Sequence, residues 1–517
     1  MRGFPTPQIS GDVPVSTGTP FKPLVRKSAT APALCIDAHT HFFNGNDVTV
    51  KGYLAGPVAH ELSGAMKELV MALAPLADRL VEMAPTAAQE FNELTETVGT
   101  GETLKAAGVL KLLSSERADA ERLRISREFY RIVKDSKFET RYNDIKKRQS
   151  VKAKAFMLEF ERTELNEQSL SNAFVAGPSR GSGVDDKFLA EQAAVLEAED
   201  YPDGILAFMG YMLSSRWRNL QAYSSAYSSD EGAFGIDYAF GALVDFDRWL
   251  DCPPRSSHED QIKLHQLLSK FSGGYMKPIV SYNPWTDVQS NGASLALVEE
   301  AVTKRGFIGV KIYPPNGFFA YGNRGRTGTP TIGPSYAELD RVLRKFWEKC
   351  YEWNVPVMAH TNQSKGKDDE FDKLGGPAGW AALLKDTSGR FRPRVNLGHF
   401  GGDGGNDWTP QMANLMASAD GENVYGDIGF WSGLRCRDAS SASCKEATGR
   451  LQDAVAVAGV GKRVMYGTDW LMLSKERQWA KYPFEIAKAT AGMKGLMQGD
   501  LFGENAKRCF PRALVAS

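Results

Sequence analysis

Residues 34–42 read LCIDAHTHF, an apolar run that ends in two histidines one residue apart. A run of this length, bounded by polar residues, reads as a short buried strand. The histidines fall where that strand gives way to a loop. Three later stretches repeat the arrangement: VPVMAHTN (355–362) carries His360, VNLGHFGG (395–402) carries His399, and RVMYGTDW (463–470) carries Asp469. In a parallel α/β barrel the carboxyl ends of all strands converge on one face, where active sites are built. Residues hundreds of positions apart then meet, and imidazoles with a carboxylate around one point make a metal site with groups to spare for chemistry.

Working outward, FGALVDFD, MKPIVSYNPW, GFIGVKIYPP and NVYGDIGFW supply four further runs, giving eight with the quoted stretches. Between them lie stretches such as SLALVEEAVTKRG and SYAELDRVLRKFWEKCYEW, with apolar residues at helical spacing. Strand and helix alternating eight times predict an α/β protein with a closed (β/α)8 TIM barrel. The barrel is expected over 31–517, after an extended, Pro/Gly/Ser/Thr-rich arm at 1–30. Residues 55–205 interrupt the pattern with helical stretches such as SGAMKELVMALAPLADRLVEMA, the charged SERADAERLRISREFYRIVKD, and a flexible break at 174–186. A connection this long is too large to be structureless in a compact domain. It reads as a mostly helical insertion after the first strand, expected to cap the site because that loop lies on the active-site face; the alternative is an oligomerisation arm, and a homodimer is a candidate assembly.

Lys plus Arg and Asp plus Glu both number 62, so no global field steers nucleic acid or an acidic membrane toward the chain. No window approaches the ~20 apolar residues of a membrane span. The N-terminus lacks the continuous apolar core of a secretory signal, so a cytoplasmic chain with a small-molecule substrate is expected. The six cysteines show no CxxC spacing, and Cys436 and Cys444, though close, read as two free thiols.

Alternate side chains of a strand share a face, so His39 and His41 are expected to point together into the barrel mouth, with Asp37 on the same alternation one step deeper. Two such imidazoles can share a borderline metal such as zinc. His360 approaches from the fifth strand and His399 from the sixth, beside Gly401 and Gly402, which permit close backbone approach to a ligand. Asp469 can bind the ion and take a proton from water. His60, His258 and His265 sit in helix- or loop-like sequence and read as structural.

The order HxH, His, His, Asp resembles the amidohydrolase superfamily, in its amidohydrolase-related branch, which includes aminocarboxymuconate-semialdehyde decarboxylase and dihydroxybenzoate decarboxylases. GENAKRCF (503–510) is similar to an ending common in that branch. The resemblance implies that His39, His41, His360 and Asp469 bind one divalent ion, usually Zn2+. It implies that His399 stands beside the ion as acid/base or electrophile. Lys311, on the fourth strand, is either carbamylated, which would bring a second metal, or an ammonium for a substrate carboxylate; one ion is favoured. Trp285, Tyr313, Asn362, Trp431 and Trp470 follow strand ends and are candidate liners of the mouth. Arg216, Arg218 and Arg435 are candidate carboxylate clamps, and the Gly-rich 322–334 segment reads as a lid or mouth loop. The expected activity is metal-dependent hydrolysis of an amide, ester or lactone. Decarboxylation of a small carboxylic acid and a non-catalytic barrel with a vestigial site are the rivals.

Overall fold

Among the described residues, eight short parallel strands form one sheet in sequential order, β1 (Ile36–Thr40), β2 (Tyr238–Ala242), β3 (Met276–Ser281), β4 (Gly309–Ile312), β5 (Val357–His360), β6 (Val395–Gly398), β7 (Val424–Asp427) and β8 (Val464–Met465). The structure, a computed structural model, describes residues 32–60, 64–99, 108, 111–112, 115–135, 204–228, 235–248, 250, 252–328, 330, 333–363 and 369–514. The arm expected at 1–30 and the break at 174–186 lie outside them. The ring closes where Ala38 N donates to Tyr466 O (3.0 Å) and Asp469 N to His39 O (2.7 Å), with a parallel bridge between Thr40 and Trp470. The expected TIM barrel is therefore present.

Alternation sorts the strand side chains. Val310, Ile312, Val357, Ala359, Val395, Leu397, Val424 and Val464 face the helices in the large outer core. Ile36, Ala38, Phe240, Ala242, Ile279, Met358, Tyr425 and Met465 fill the barrel, with Phe510 from the C-terminal helix beneath them. β1 breaks the rule. Its register against β2 slips by one residue between Asp37 and Thr40, so that Ala38 and His39 together oppose Phe240. This β-bulge returns His39 and His41 to the interior and leaves Asp37 on the other wall. There Asp37 accepts from Tyr223 Oη (2.7 Å), Thr468 Oγ1 (2.5 Å) and the Thr468 and His39 amides (3.0 and 3.1 Å). Asp37 is thus not aligned with the histidines as simple alternation predicts.

The segment between β1 and β2 holds helices α1 (Gly64–Val81), α2 (Ala87–Val98), α3 (Ser115–Asp135) and α4 (Gly204–Leu213), then α5 (Arg216–Ser228) against the barrel wall. Among the described residues, helical structure starts earlier than expected, at Val50. Thr86 starts α2 with a capping box to Gln89. Along the rest of the ring come α6 (His258–Phe271), α7 (Pro284–Ser290), α8 (Ala293–Lys304), α9 (Tyr336–Glu352), α10 (Pro377–Thr387), α11 (Trp408–Ala417), α12 (Ala442–Ala456) and α13 (Tyr482–Thr490). Ser257, Ser335 and Ser441 cap α6, α9 and α12 by accepting from backbone amides.

The inserted helices dock in two places: α2 packs along α6, and α4 packs on the turn Met472–Lys475 after β8. His60, just beyond the helical Val50–Val58 stretch, pairs with Asp369 in the loop after β5 (3.4 Å). In a ring of eight, β1 and β5 lie opposite, so residues 50–60 run from one rim of the barrel to the other.

Two arginines expected at the mouth are rivets of this insertion instead. Buried Arg216 donates to Asp47 (2.7 Å from Nε), Glu90 (2.9 Å), Pro85 O and Ser256 Oγ (both 3.0 Å). Glu90 also accepts from the amides of Arg216 and Trp217, capping α5. Arg218 reaches Gln221 (2.8 Å) and Glu121 (3.4 Å). The expectation of free thiols also fails: Cys436 and Cys444, with Cα atoms 5.0 Å apart, form a disulfide that ties the turn after β7 to the first turn of α12. Among the described residues no helix is long and apolar enough to cross a membrane.

Candidate metal centre

The histidines and the aspartate meet as the strand ends require. His39, His41 and Asp469 offer three ligand atoms within 4.8 Å of one another, all buried. Asp469 Oδ1 lies 3.3 Å from His41 Nε2 and 3.9 Å from His39 Nε2. Ligand atoms around a tetrahedral zinc with bonds of about 2.0–2.1 Å sit roughly 3.3 Å apart, so this spacing suits one ion. His360 and His399 extend the cluster. The His399 ring lies 4.7 Å from that of His39 and 4.5 Å from that of His360, and His399 Nε2 is 3.0 Å from His360 Nδ1.

Glycines make room for His39. A Cβ at Gly398, Gly429 or Gly467 would fall 3.0, 2.9 or 2.7 Å from His39 side-chain atoms, closer than real side chains pack. Two of the site's functional residues, His399 (φ 66°) and Asp469 (φ 52°), adopt the left-handed backbone that non-glycine residues avoid. Strain of this kind persists where the surroundings over-determine it. For His399 they do: Trp431 Nε1 donates to its carbonyl (2.7 Å) and Asp427 accepts from its amide (3.1 Å).

The hydrogen bonds fix the tautomers. His41 Nδ1 lies 2.7 Å from Ala242 O and His399 Nδ1 2.8 Å from Gly429 O. Carbonyls only accept, so both Nδ1 atoms carry the proton. His39 Nδ1 donates to the Asp427 carboxylate (2.9 Å). With its proton on Nδ1, neutral His399 accepts at Nε2, so His360 Nδ1 is the donor of that pair. His360 Nε2 is then a lone pair, buried and without a hydrogen-bond partner in the structure. A proton anchored on Nδ1 leaves the Nε2 lone pair for a metal, and at His39 that lone pair is met by Lys311 Nζ in this structure.

The electrostatics agree. Burial lowers His39 to about 4 against the pull of Asp427, and burial, then His399 and Lys311, lower His360 well below the usual imidazole value. Burial opposes ionisation of Asp469, but its contact with His41 and the neighbouring His399 and His39 rings outweigh it and hold the carboxyl below the usual range. Burial brings Lys311 down to about 8 while Asp427 and Asp469 resist. Its Nζ donates to His39 Nε2 (3.1 Å).

The candidate liners divide. Tyr313 stands at the site, its ring 4.7 Å from that of His360 and 5.0 Å from Phe246. Asn362 packs on Gly402, whose left-handed turn, like that of Gly401, fits against neighbouring protein rather than a ligand. The other candidates are engaged elsewhere. Trp285 Nε1 donates to Asn316 O (3.2 Å), Trp470 is buried among Phe42, Tyr211, Tyr223 and Trp479, and Trp431 holds His399. Arg435 donates to Glu485 (2.5 Å) and Gln478 O (2.9 Å), so it is no carboxylate clamp. The first part of the Gly-rich segment is tied down, with the Asn323 and Arg324 amides donating to Asp340 (both 2.9 Å). His265 is buried and bonds Gln261 O (3.0 Å), and His258 bonds Ser281 O (3.1 Å), both outside the cluster. Asp427 escapes a sequence reading, although it ends β7 as His360 ends β5, and that position was the available signal.

A parallel eight-strand barrel with an HxH pair and a strand-8 aspartate at its carboxyl face defines the class of metal-dependent barrel enzymes. Residues 277–512 match the family model described as Amidohydrolase. Among solved structures it is similar to a probable 2-pyrone-4,6-dicarboxylic acid hydrolase from Acinetobacter baumannii, at 11% identity over 53% of this chain and 84% of that one, with a TM-score of 0.34. It is also similar to 2,6-dihydroxybenzoate decarboxylase from Rhizobium, at 16% identity, 54% and 84% coverage and a TM-score of 0.36. A TIM-barrel protein from Bordetella bronchiseptica aligns at 12% identity, 63% and 91% coverage and a TM-score of 0.38. These values fix neither reaction nor substrate. No curated protein matches the chain.

Proposed function

We propose that this protein is a zinc-dependent hydrolase that adds water to a carbonyl carbon of a small molecule, an amide, ester or lactone. The observation that carries the reading is the convergence of His39, His41 and Asp469 with the imidazole protons committed to protein acceptors. His360 Nε2, buried and without a hydrogen-bond partner, would be the fourth ligand. A divalent ion held there supplies a Lewis acid for the carbonyl and makes hydroxide available near neutral pH, contributing several kcal/mol. Asp469, ionised, takes the proton of the attacking water and returns it to the leaving group. His399, pinned by Trp431 and Asp427, would orient and stabilise the developing oxyanion through Nε2, which must first gain a proton because in the neutral tautomer it accepts from His360. Tyr313 and Phe246 flank the substrate, and the insertion, with residues 50–60 laid from rim to rim, caps it.

Non-oxidative decarboxylation is the second reading, and Lys311 supports it. Among the described residues no carboxylate lies within ion-pair distance of this buried ammonium, so a substrate carboxylate would suit it. The test is a panel of amides, esters, lactones and carboxylic acids offered to the zinc-loaded protein in 18O-labelled water. One solvent oxygen entering the product is expected. Release of carbon dioxide with no label in the product would overturn hydrolysis in favour of the second reading.

A further inference from the structure

We infer that Asp427 and Asn396 form a positioning pair in which a single carboxylate sets both the tautomer of His39 and the backbone of His399. The inference rests on the metal reading above. Asp427 closes β7 and Asn396 lies on the inner face of β6, both fully buried. Oδ1 of Asp427 accepts from His39 Nδ1 (2.9 Å), His399 N (3.1 Å) and Gly429 N (2.9 Å), and Oδ2 accepts from Asn396 Nδ2 (2.7 Å). Four donors converge on the two oxygens, a pattern only a carboxylate satisfies. The first keeps the His39 proton on Nδ1 and its Nε2 lone pair toward the ion. The second holds the amide of His399 in its left-handed turn (φ 66°). The Asn396 amide can face Asp427 only through its NH2, which fixes the carboxylate's own rotation.

Asp427→Ala leaves all four donors without this acceptor and frees the His39 proton to move to Nε2, where a metal would bind. Asp427→Asn alone does not test the pair, because the Asn396 amide, whose Oδ1 has no hydrogen-bond partner to hold it, can turn its oxygen toward the new NH2. Asp427→Asn combined with Asn396→Asp exchanges the amide and the carboxylate and keeps a donor–acceptor match at every contact named.

The test is a cobalt titration of the full-length, metal-free protein against a chromophoric chelator, with the visible absorption of the cobalt complex recorded. Loss of an outer partner of a metal-bound histidine weakens binding roughly 10–100-fold. That loss, with a changed cobalt spectrum and an unchanged far-UV circular dichroism spectrum, is expected for Asp427→Ala. Recovery to within about tenfold of wild type is expected for the exchanged pair, taking that same range as the yardstick. Wild-type affinity and spectrum in Asp427→Ala would overturn the positioning role alone. Should Asp427→Ala not fold, the exchanged pair decides: cobalt binding near wild type supports the role, and a folded pair that binds no cobalt overturns it. Wild-type protein that binds no cobalt would instead overturn the metal reading on which the role stands.

Discussion

His360 is the residue on which the ligand set turns. His39, His41 and Asp469 already stand within 4.8 Å of one another, whereas His360 is bonded to His399 and offers only its far nitrogen. If that nitrogen completes the set, His360→Ala weakens zinc binding by at least the ~100-fold that losing an outer partner can cost. Competition with a chelator measures it, and affinity within a few-fold of wild type would leave the ion with three protein ligands. Proton linkage gives a second expectation for the metal-free protein. His39 and His265 fall from 6.5 to about 4 on folding, so their contribution to stability is full above about 6.5 and is lost as pH falls toward 4. Asp37 runs the other way. Burial raises it from 3.8 to about 7 despite four donated hydrogen bonds, so its contribution is full below about 4 and is lost as pH rises to 7. Urea unfolding of Asp37→Asn between pH 4.5 and 7 should therefore show a steeper gain of stability with pH than wild type. An equal or shallower slope would mean that Asp37 is already ionised throughout that range. HxH, the two later histidines and Asp469 were legible because each ends an apolar run. Asp427 obeyed the same rule, but an aspartate before Ile428 and Gly429 also reads as an ordinary turn residue.

At the scale of elements, α5 and the inserted helices depend on one guanidinium. Arg216 bridges Asp47 from the β1 loop and Glu90 from α2, and all three are fully buried. Removing one partner of a buried ion pair leaves uncompensated charge and costs about 3–5 kcal/mol. Arg216→Ala is expected to lose that much in urea-induced unfolding; a loss under ~1 kcal/mol, as for exposed pairs, would show that water reaches the carboxylates. This role was hidden in the sequence because an arginine beside a strand has the same appearance whether its anion is a substrate or a distant Glu90. The strands and helices themselves were legible from periodicity. The Cys436–Cys444 bridge was not, since spacing alone does not say that a turn and a helix start will bring two sulfurs together. A bulge in a parallel strand leaves no signature of its own, so alternation misplaced Asp37 while placing His39 and His41 together.

Across the described residues, the outer core between strands and helices is one continuous cluster of apolar side chains. The barrel should therefore fold without its ion and be stabilised by it. Zinc at a free concentration of about 100 times its dissociation constant adds ~2.7 kcal/mol, so the melting temperature should rise with zinc and fall back with chelator. Far-UV circular dichroism at 25 °C should stay the same. Loss of helix and strand signal on chelation would show that the ion holds the fold rather than the site. The eightfold order of the barrel could be read from the chain because each β/α repeat carries its own apolar pattern. Where the insertion docks could not, because α2 against α6 and His60 against Asp369 are set by partners far away in the chain.

The extra residue in β1 sorts the side chains of the first strand. Were the ladder straightened with every residue kept, Asp37, His39 and His41 would share one face. Anchored at Ile36, that face is the tyrosine-lined outer wall and both imidazoles would leave the barrel; anchored at Thr40, the acid would be drawn inside with them. Removing Ala38 would instead keep the imidazoles inside and give up only the doubled position opposite Phe240. The candidate metal centre thus begins with an irregularity that parts an acid from two imidazoles of the same parity.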